Sequence, residues 1–205
     1  MQGIKIILLF IALMLTGSNM IYAHEDTALN SALEKMTQSV VTNNPQEYIR
    51  HTSPRLIIVM GGEENALKLF KESLSTLRDV HNITIDTVIN YNKLDVIKLE
   101  TISFKFIPQI MVTSVADTEE SILIVTNVLA IKENVSPEWK FIDTNFVGDE
   151  EIDIMIPEFK DKVKIPRLAE EPLILPKKEV QKVLQNMLNF LDESLKQKPA
   201  VIDYP

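Results

Sequence analysis

Hydrophobic and polar positions alternate most regularly in the middle of the chain, between residues 96 and 144. In the first of three β-branched runs, Thr101–Thr113, the even-numbered side chains are mostly apolar and the odd-numbered ones mostly polar. This period of two predicts a strand with one buried face. Pro108 has no N–H for a ladder hydrogen bond, so we expect a bulge or bend there, or an edge position.

Two further runs, Ser121–Ile131 and Glu138–Thr144, follow after short polar segments that suit hairpin turns. The run Ser121–Ile131 is apolar at both parities, which predicts a central strand covered on both faces. Another strand is expected at about Ile83–Tyr91, before these three runs. An antiparallel meander is the simplest arrangement of the three runs.

Apolar residues recur at helical spacing before this sheet. Cap and stop signals place the helices. They begin at Asp26 or Thr27, at Asn44–Pro45, at Ser53–Pro54 and, after a stop at Gly61–Gly62, over Glu63–Arg78. A short helix or turn is expected after Gly148. These elements predict the α+β fold class, with N-terminal helices packed on a curved antiparallel sheet and a C-terminal helical extension.

The last part of the chain changes character after residue 160. Residues 160–176 are rich in proline and mixed charge, which predicts a linker or a strap over the surface. A helix is predicted over Pro176–Lys196, with an apolar stripe formed by Val180, Leu184, Met187, Leu191 and Leu195. Such a stripe is too apolar to stay in water. We expect it to dock on the chain's own domain, with dimerisation as the alternative.

The N-terminus has the pattern of a secretory signal peptide, residues 1–23, in which Lys5 precedes the apolar run Ile6–Leu15. That run is about half the ~20 residues that span a bilayer, so we expect no stable membrane span after processing. An uncleaved anchor is the alternative. Ser18 stands where a bacterial lipoprotein box requires cysteine, which favours a soluble exported protein, periplasmic or extracellular.

Composition narrows the possible partners and chemistry. The formal net charge is −8, which makes nucleic acid and anionic membrane surfaces poor partners. The absence of cysteine excludes disulfides, thiolate metal sites and cysteine nucleophiles. The three histidines, His24, His51 and His81, are scattered, and no nucleotide-binding or hydrolase motif is present. We therefore expect no metal and no cofactor.

The order of elements, helices first and a curved antiparallel sheet after them, resembles the nuclear transport factor-like superfamily. The resemblance is carried by Ser53–Gly62, the helix Glu63–Arg78, Ile107-Pro108 and Trp139–Asp143. It extends over about residues 26–160 and is nearest to exported bacterial members of unassigned function. Relatives in this superfamily include ketosteroid isomerase and scytalone dehydratase. The resemblance implies a cone-shaped domain, residues 24–160, and leaves residues 161–205 as a linker and C-terminal helix. It also implies a pocket between sheet and helices, used in the superfamily for catalysis, ligand binding or protein contact.

Four side chains are candidates for chemistry at such a pocket. Tyr48, His51 and Arg55 are predicted along one side of the second helical segment, where they would polarise or protonate a bound carbonyl. Asp143, near the end of the last strand, is a candidate pocket carboxylate. The structural alternative, which we favour, is that Tyr48 packs, Arg55 caps or pairs, and Asp143 closes a turn. None of the superfamily's catalytic residues can be matched by motif.

Three hypotheses about function remain. The favoured one is an exported, non-enzymatic module that binds an unknown small molecule or protein. The second is a small acid–base enzyme of isomerase or dehydratase type that uses the cone pocket. The third is an assembly protein that associates through its C-terminal helix, with a homodimer as one form of the assembly.

Overall fold

The computed structural model describes residues 27–144, 147–160, 162–166 and 171–196, so the predicted signal peptide and His24 lie outside the described residues. Within them, the N-terminal helices are α1 (27–41), α2 (Pro45–His51), α3 (Pro54–Val59) and α4 (Glu63–Ser75), and a π-helical turn, Thr76–Val80, extends α4. The strands are β1 (Ile83–Asn90), β2 (Ile97–Lys98), β3 (Ile102–Val115), β4 (Glu120–Glu133), β5 (Lys140–Asp143) and β6 (Leu173–Pro176). Helix α5 (Asp149–Met155) follows β5, and α6 (Val180–Lys196) follows β6.

The starts and stops of the short helices follow local signals. At the start of α2, the Asn44 side chain accepts a hydrogen bond from the Glu47 backbone N–H at 3.2 Å, which satisfies one of the unpaired donors of the first turn. Glu47 does not complete a capping box, because its carboxylate pairs with Arg50 and His51. Helix α3 ends at two residues with left-handed backbone, Gly61 (φ 86°) and Gly62 (φ 99°).

The sheet is antiparallel, with strand order β1-β3-β4-β5, and it curls into a half-barrel. β2 pairs with β3 on the β1 side, and β6 pairs with β4 on the β5 side. The predicted α+β class is confirmed, as are the meander β3-β4-β5 and the strand before it. The two short strands β2 and β6 are not predicted by the sequence pattern.

Pro108 lies inside β3, where the pairing with β4 continues without a break from Ile102 to Ser114. The carbonyl oxygen of Pro108 accepts from the Tyr91 backbone N–H at 2.8 Å, so its nitrogen also faces the β1 side. No β1 or β2 pairing reaches this residue, because β2 pairs at 103–104 and β1 from 109 onward. Pro108 therefore lies in an interior strand, at the gap between the β2 and β1 pairings, and the predicted edge strand is not found. The pairing of β3 with β4 shows no bulge at Pro108, whereas β1 has a register shift between Ile85 and Thr87.

The expectation that β3 has a single buried face is wrong. Its polar, odd-numbered side chains are also buried: Ser103, Lys105, Gln109 and Thr113. The reason is that helices cover both faces of the sheet. One face carries α1 over Ile107, Val128 and Phe141, and the opposite face carries α5 and α6. Polar residues on the first face are therefore available to line an interior site.

The C-terminal helix α6 packs on the sheet of its own chain, as predicted. Val180 and Leu184 are buried against Ile110, Val112 and Leu123, and Met187 packs beside them. Leu191 is half-buried, and the Leu195 side chain lies outside the described residues. The preceding segment is anchored as well, since the Asn127 side chain donates to the Pro166 carbonyl at 2.5 Å and Ile165 is buried.

A polar contact fixes the far end of α6. The Tyr91 hydroxyl donates to Asp192, and the Lys93 ammonium contacts the same carboxylate at 2.6 Å. Burial, the hydrogen bond to Asp192 and the charge of that carboxylate together raise the pKa of Tyr91 to about 12, so the phenol stays protonated as a donor. Among the described helices, none is both long and apolar enough to cross a bilayer.

Candidate functional site

A cavity of about 270 Å³ lies between the N-terminal helices and the face of the sheet that they cover. Most of its wall is apolar and comes from several elements: Met36 and Val40 of α1, Phe70 and Leu74 of α4, Val88 of β1 and Met111 of β3. An interior space with apolar walls and a few polar groups is the usual form of a small-molecule site. This cavity is therefore the candidate site.

Helix α4 forms the outer wall of the cavity. Ala66 is the buried residue of this helix. Leu69, which is 47% exposed, and Ser73, which is also exposed, both line the cavity. Residues that touch both the cavity and solvent mark an entrance. The cavity is therefore accessible to solvent beside α4.

Tyr48 lies in the cavity wall and joins α2 to α4. Its ring stacks on that of Phe70, with 3.8 Å between centroids and 5° between planes. Burial, and secondly the negative charge of Asp143, raise the pKa of the Tyr48 hydroxyl well above its ordinary value. Tyr48 is therefore neutral at physiological pH and able to donate a hydrogen bond.

Asp143 lies at the end of β5, on the cavity face of the sheet, opposite Val128 of β4. The Thr126 hydroxyl donates to one of its carboxylate oxygens at 3.1 Å. Tyr48 and Asp143 are thus the two sequence-predicted residues that the structure brings to one site. The carboxylate also lies close enough to Tyr48 for its charge to act on the phenol.

A row of polar residues runs across four neighbouring strands, one from each, and two of its members, Gln109 and Asp143, line the cavity. We call it the polar stripe; it consists of Asn90 (β1), Gln109 (β3), Thr126 (β4) and Asp143 (β5). Gln109 pairs in register with both Asn90 and Thr126. The Gln109 amide donates to the Asn90 side chain at 2.7 Å, and Asn90 donates to Thr37 of α1 at 2.8 Å.

Asn90, Gln109 and Thr126 are not among the residues that the sequence pattern indicates for the site. Gln109 belongs to the polar parity of β3 that the alternation assigned to solvent. Thr126 had a detectable signal, because it is a polar residue inside a run that is apolar at both parities. Met155 is a buried core residue, but Met60 and Met111 line the cavity.

His51 lies away from this cavity. Its ring nitrogen is 3.0 Å from the Glu47 carboxylate, and it lines a polar surface groove with Arg50 and Lys140. At the end of α2, Thr52 lines the cavity together with Tyr48, four residues before it, whereas His51 pairs with Glu47, four residues before His51, on the side away from the cavity. The expected grouping of His51 with Tyr48 at one site is not found.

Arg55 is also separate from the cavity and ties three elements together. Its guanidinium bonds Glu133 at 3.0 Å, Glu158 at 3.2 Å and the Met155 carbonyl at 2.9 Å. Burial alone would lower the pKa of Arg55, but its hydrogen bonds to Glu158 and Glu133 and their charges raise it. Arg55 thus pairs, as the structural alternative predicted.

The described residues contain no group of three or more histidine, cysteine, aspartate or glutamate side chains placed to hold a metal ion. Comparisons of the chain with protein-family models, with curated proteins and with solved structures find no match. The site must therefore be interpreted from its own geometry and charge.

Proposed function

We propose that this protein is an exported binding module that holds a small, largely apolar molecule in the cavity between its helices and its sheet. The single observation that supports the proposal is the cavity itself, about 270 Å³ with mainly apolar walls. An interior void of this size lacks the packing contacts that a solid core would provide. Retaining such a space has a physical reason if a ligand fills it.

The same arrangement supports membership of the nuclear transport factor-like superfamily, since helices precede a curled antiparallel sheet and a cavity lies between them. The pattern of residues 1–23 supports export to the periplasm or the medium. Expression in a bacterial host followed by intact-mass measurement tests this part. A soluble periplasmic chain that begins at His24 is expected, and a membrane-bound chain that retains residues 1–23 would contradict it.

Naphthalene is a suitable neutral probe for the binding proposal, because its ten carbon atoms match the size of the cavity. An apolar ligand of this size is expected to bind with a Kd between about 10 μM and 1 mM. Binding is measured by titration calorimetry on the chain that begins at His24. The variant Met111→Trp places a larger ring in the cavity wall and should weaken binding at least about tenfold.

The control for this experiment is Val135→Trp, in the turn between β4 and β5, where the side chain is 92% exposed. It adds the same ring at a distance from the cavity and should leave naphthalene binding unchanged. Circular dichroism establishes that both variants are folded. Absence of binding to the wild-type chain, or equal binding to a folded Met111→Trp variant, would refute the proposal.

Acid–base catalysis is a second candidate, and the position of Asp143 favours it. A carboxylate that faces an apolar cavity, with a neutral phenol nearby, has the components of a general base and a hydrogen-bond donor. A binding module releases its ligand unchanged, whereas an enzyme converts it. Mass spectrometry distinguishes a binding module from an enzyme. A compound that binds is incubated for a long period with the wild-type chain and with Asp143→Asn, and its mass is then measured. Product formed by the wild type alone would support catalysis, and unchanged compound in both would support binding only.

A further inference from the structure

The Tyr48 hydroxyl is a hydrogen-bond donor without a partner. Within the described part of the chain, no group forms a hydrogen bond with it, and Asp143 acts on it through charge alone. The described polar side-chain atoms that are both buried and unpaired belong to Asn92, Asn127 and Trp139, so the Tyr48 oxygen is not sealed inside the protein. Because Tyr48 lines the cavity, its hydroxyl borders the space that a ligand would occupy.

This donor is kept in the form that can bond a ligand. Burial and, secondly, the charge of Asp143 raise the pKa of the phenol, so it remains protonated at physiological pH. The ring is held by its stack on Phe70, so the position of the hydroxyl is defined before a ligand binds. A polar group among apolar side chains is costly unless it is paired. A ligand that brings a hydrogen-bond acceptor to Tyr48 removes that cost.

Charge and volume limit the rest of the ligand. Among the described residues that line the cavity, Asp143 is the one with a formal charge at neutral pH, so an anionic ligand finds no positive partner there. The Asp143 carboxylate already has partners, among them the Thr126 hydroxyl, so it does not need a cationic ligand. A protein cavity of about 150 Å³ accommodates benzene, with six carbon atoms. At the same packing, the 270 Å³ cavity holds on the order of eleven non-hydrogen atoms.

We propose that Tyr48 determines which ligand the cavity binds, by donating a hydrogen bond to the carbonyl oxygen of a compact, neutral molecule. The apolar body of this molecule fills the space lined by Phe70 and Leu74. This inference rests on the proposed binding function, and it adds the chemical class of the ligand and the residue that selects it. A carbonyl oxygen suits the site because it accepts a hydrogen bond without bringing a charge or a further donor into mainly apolar surroundings.

Three probes of equal size, which share a methyl-substituted benzene ring, test the proposal: 4-methylacetophenone, p-cymene and 4-methylbenzoate. The ketone has a carbonyl oxygen where p-cymene has a methyl group, and 4-methylbenzoate has a carboxylate in place of the acetyl group. Each is titrated calorimetrically at neutral pH into the chain that begins at His24. The benzoate should bind at least about tenfold more weakly than the ketone, because its charge loses hydration without gaining a positive partner.

Tyr48→Phe removes the hydroxyl and keeps the ring that stacks on Phe70. It should weaken binding of 4-methylacetophenone about tenfold, since the carbonyl oxygen is then buried without a donor, and it should not weaken binding of p-cymene. Without ligand, the urea midpoint of this variant should equal or exceed that of the wild type, because the lost hydroxyl has no hydrogen bond to the protein.

Tyr91→Phe is the matched control. The Tyr91 hydroxyl donates to Asp192, and Tyr91 does not line the cavity. The control should therefore lower the urea midpoint and leave the affinities for the three probes unchanged.

Infrared spectroscopy of the bound ketone detects the hydrogen bond in the wild-type protein itself. A hydrogen bond to a carbonyl oxygen lowers the carbonyl stretching frequency relative to that of the same molecule in hexane. The band of isotope-labelled 4-methylacetophenone should be lowered in the wild type and in Tyr91→Phe, and it should return towards the hexane value in Tyr48→Phe. The wild-type measurement does not depend on the folding of any variant.

The outcomes separate this inference from the proposed function. If naphthalene and p-cymene bind but Tyr48→Phe weakens ketone binding no more than p-cymene binding, the cavity is a ligand site and the inferred selection is wrong. An unshifted carbonyl band in the wild type has the same meaning. A lowered band that persists in Tyr48→Phe would also overturn the inference, because the donor would then be another group, such as the Gln109 amide. If neither naphthalene nor any of the three probes binds, the binding function itself fails.

Discussion

Leu184 provides the sharpest test of how α6 is attached to the protein. The side chain is 6% exposed and packs with Ile110, Val112 and Leu123 on the sheet. Leu184→Ala removes three buried carbon atoms, worth about 2.4 kcal/mol at ~0.8 kcal/mol each. Incomplete collapse of the resulting space adds to this, within the range of about 2–5 kcal/mol seen for such changes. We expect a loss of about 3 kcal/mol in the free energy of unfolding.

The measurement is a urea titration followed by far-ultraviolet circular dichroism, with the midpoint compared at an unchanged slope. Phe190→Ala serves as the control on the same helix, because Phe190 is 69% exposed, and it should change the stability by no more than about 0.5 kcal/mol. A loss for Leu184→Ala no larger than that of the control would refute intramolecular docking. If light scattering then showed a dimer in the wild type and a monomer in Leu184→Ala, assembly through α6 would become the leading hypothesis.

Trp139 and Glu158 provide the remaining predictions. Trp139 is 2% exposed between α1 and the sheet, so Trp139→Ala should cost roughly 3–5 kcal/mol in a urea titration, against almost nothing for the 92% exposed Val135→Ala. A loss below about 1 kcal/mol would contradict its place in the core. Burial works against ionisation of Glu158, but hydrogen bonds from Thr101 and Arg55 and the charge of Arg55 lower its pKa overall. A lowered pKa stabilises the fold above the unfolded pKa of glutamate, about 4.3, and this contribution disappears as the pH falls through the folded value. Glu158→Gln should therefore reduce stability at pH 7 and reduce its dependence on pH below about 5; an identical acid dependence in both proteins would argue against this ion pair.

Much of the fold could be predicted because the signals are local. The alternation along β3, the cap at Asn44 and the two glycines after α3 each determine their own element through backbone chemistry. β6 could not be predicted in this way, because four residues in a proline-rich segment have little preference for a strand over other backbone conformations. They form a strand because Ser121–Leu123 of β4 offers an unpaired edge far away in the sequence.

The candidate site was less predictable, because it depends on which faces of the sheet are covered. The position of Gln109 in the alternation of β3 is that of a solvent-facing side chain. Gln109 is buried because α1 and α4 lie over this face of the sheet. Tyr48 and His51 differ by three positions on one helix, and that small rotation places them on different surfaces. Asp143 could be predicted as a pocket carboxylate, because its parity with Phe141 puts both on one face of β5.

The docking of α6 also has a consequence for biosynthesis. Translation proceeds from the N-terminus, and domains fold as their elements become available. The meander is complete on the ribosome before Val180 and Leu184 have been made, so the face formed by Ile110, Val112 and Leu123 stays bare during that interval. An exposed apolar surface of this kind binds chaperones and promotes premature association with other chains. This face of the sheet is thus covered only once α6 has been synthesised, so the nascent chain stays incompletely folded until then.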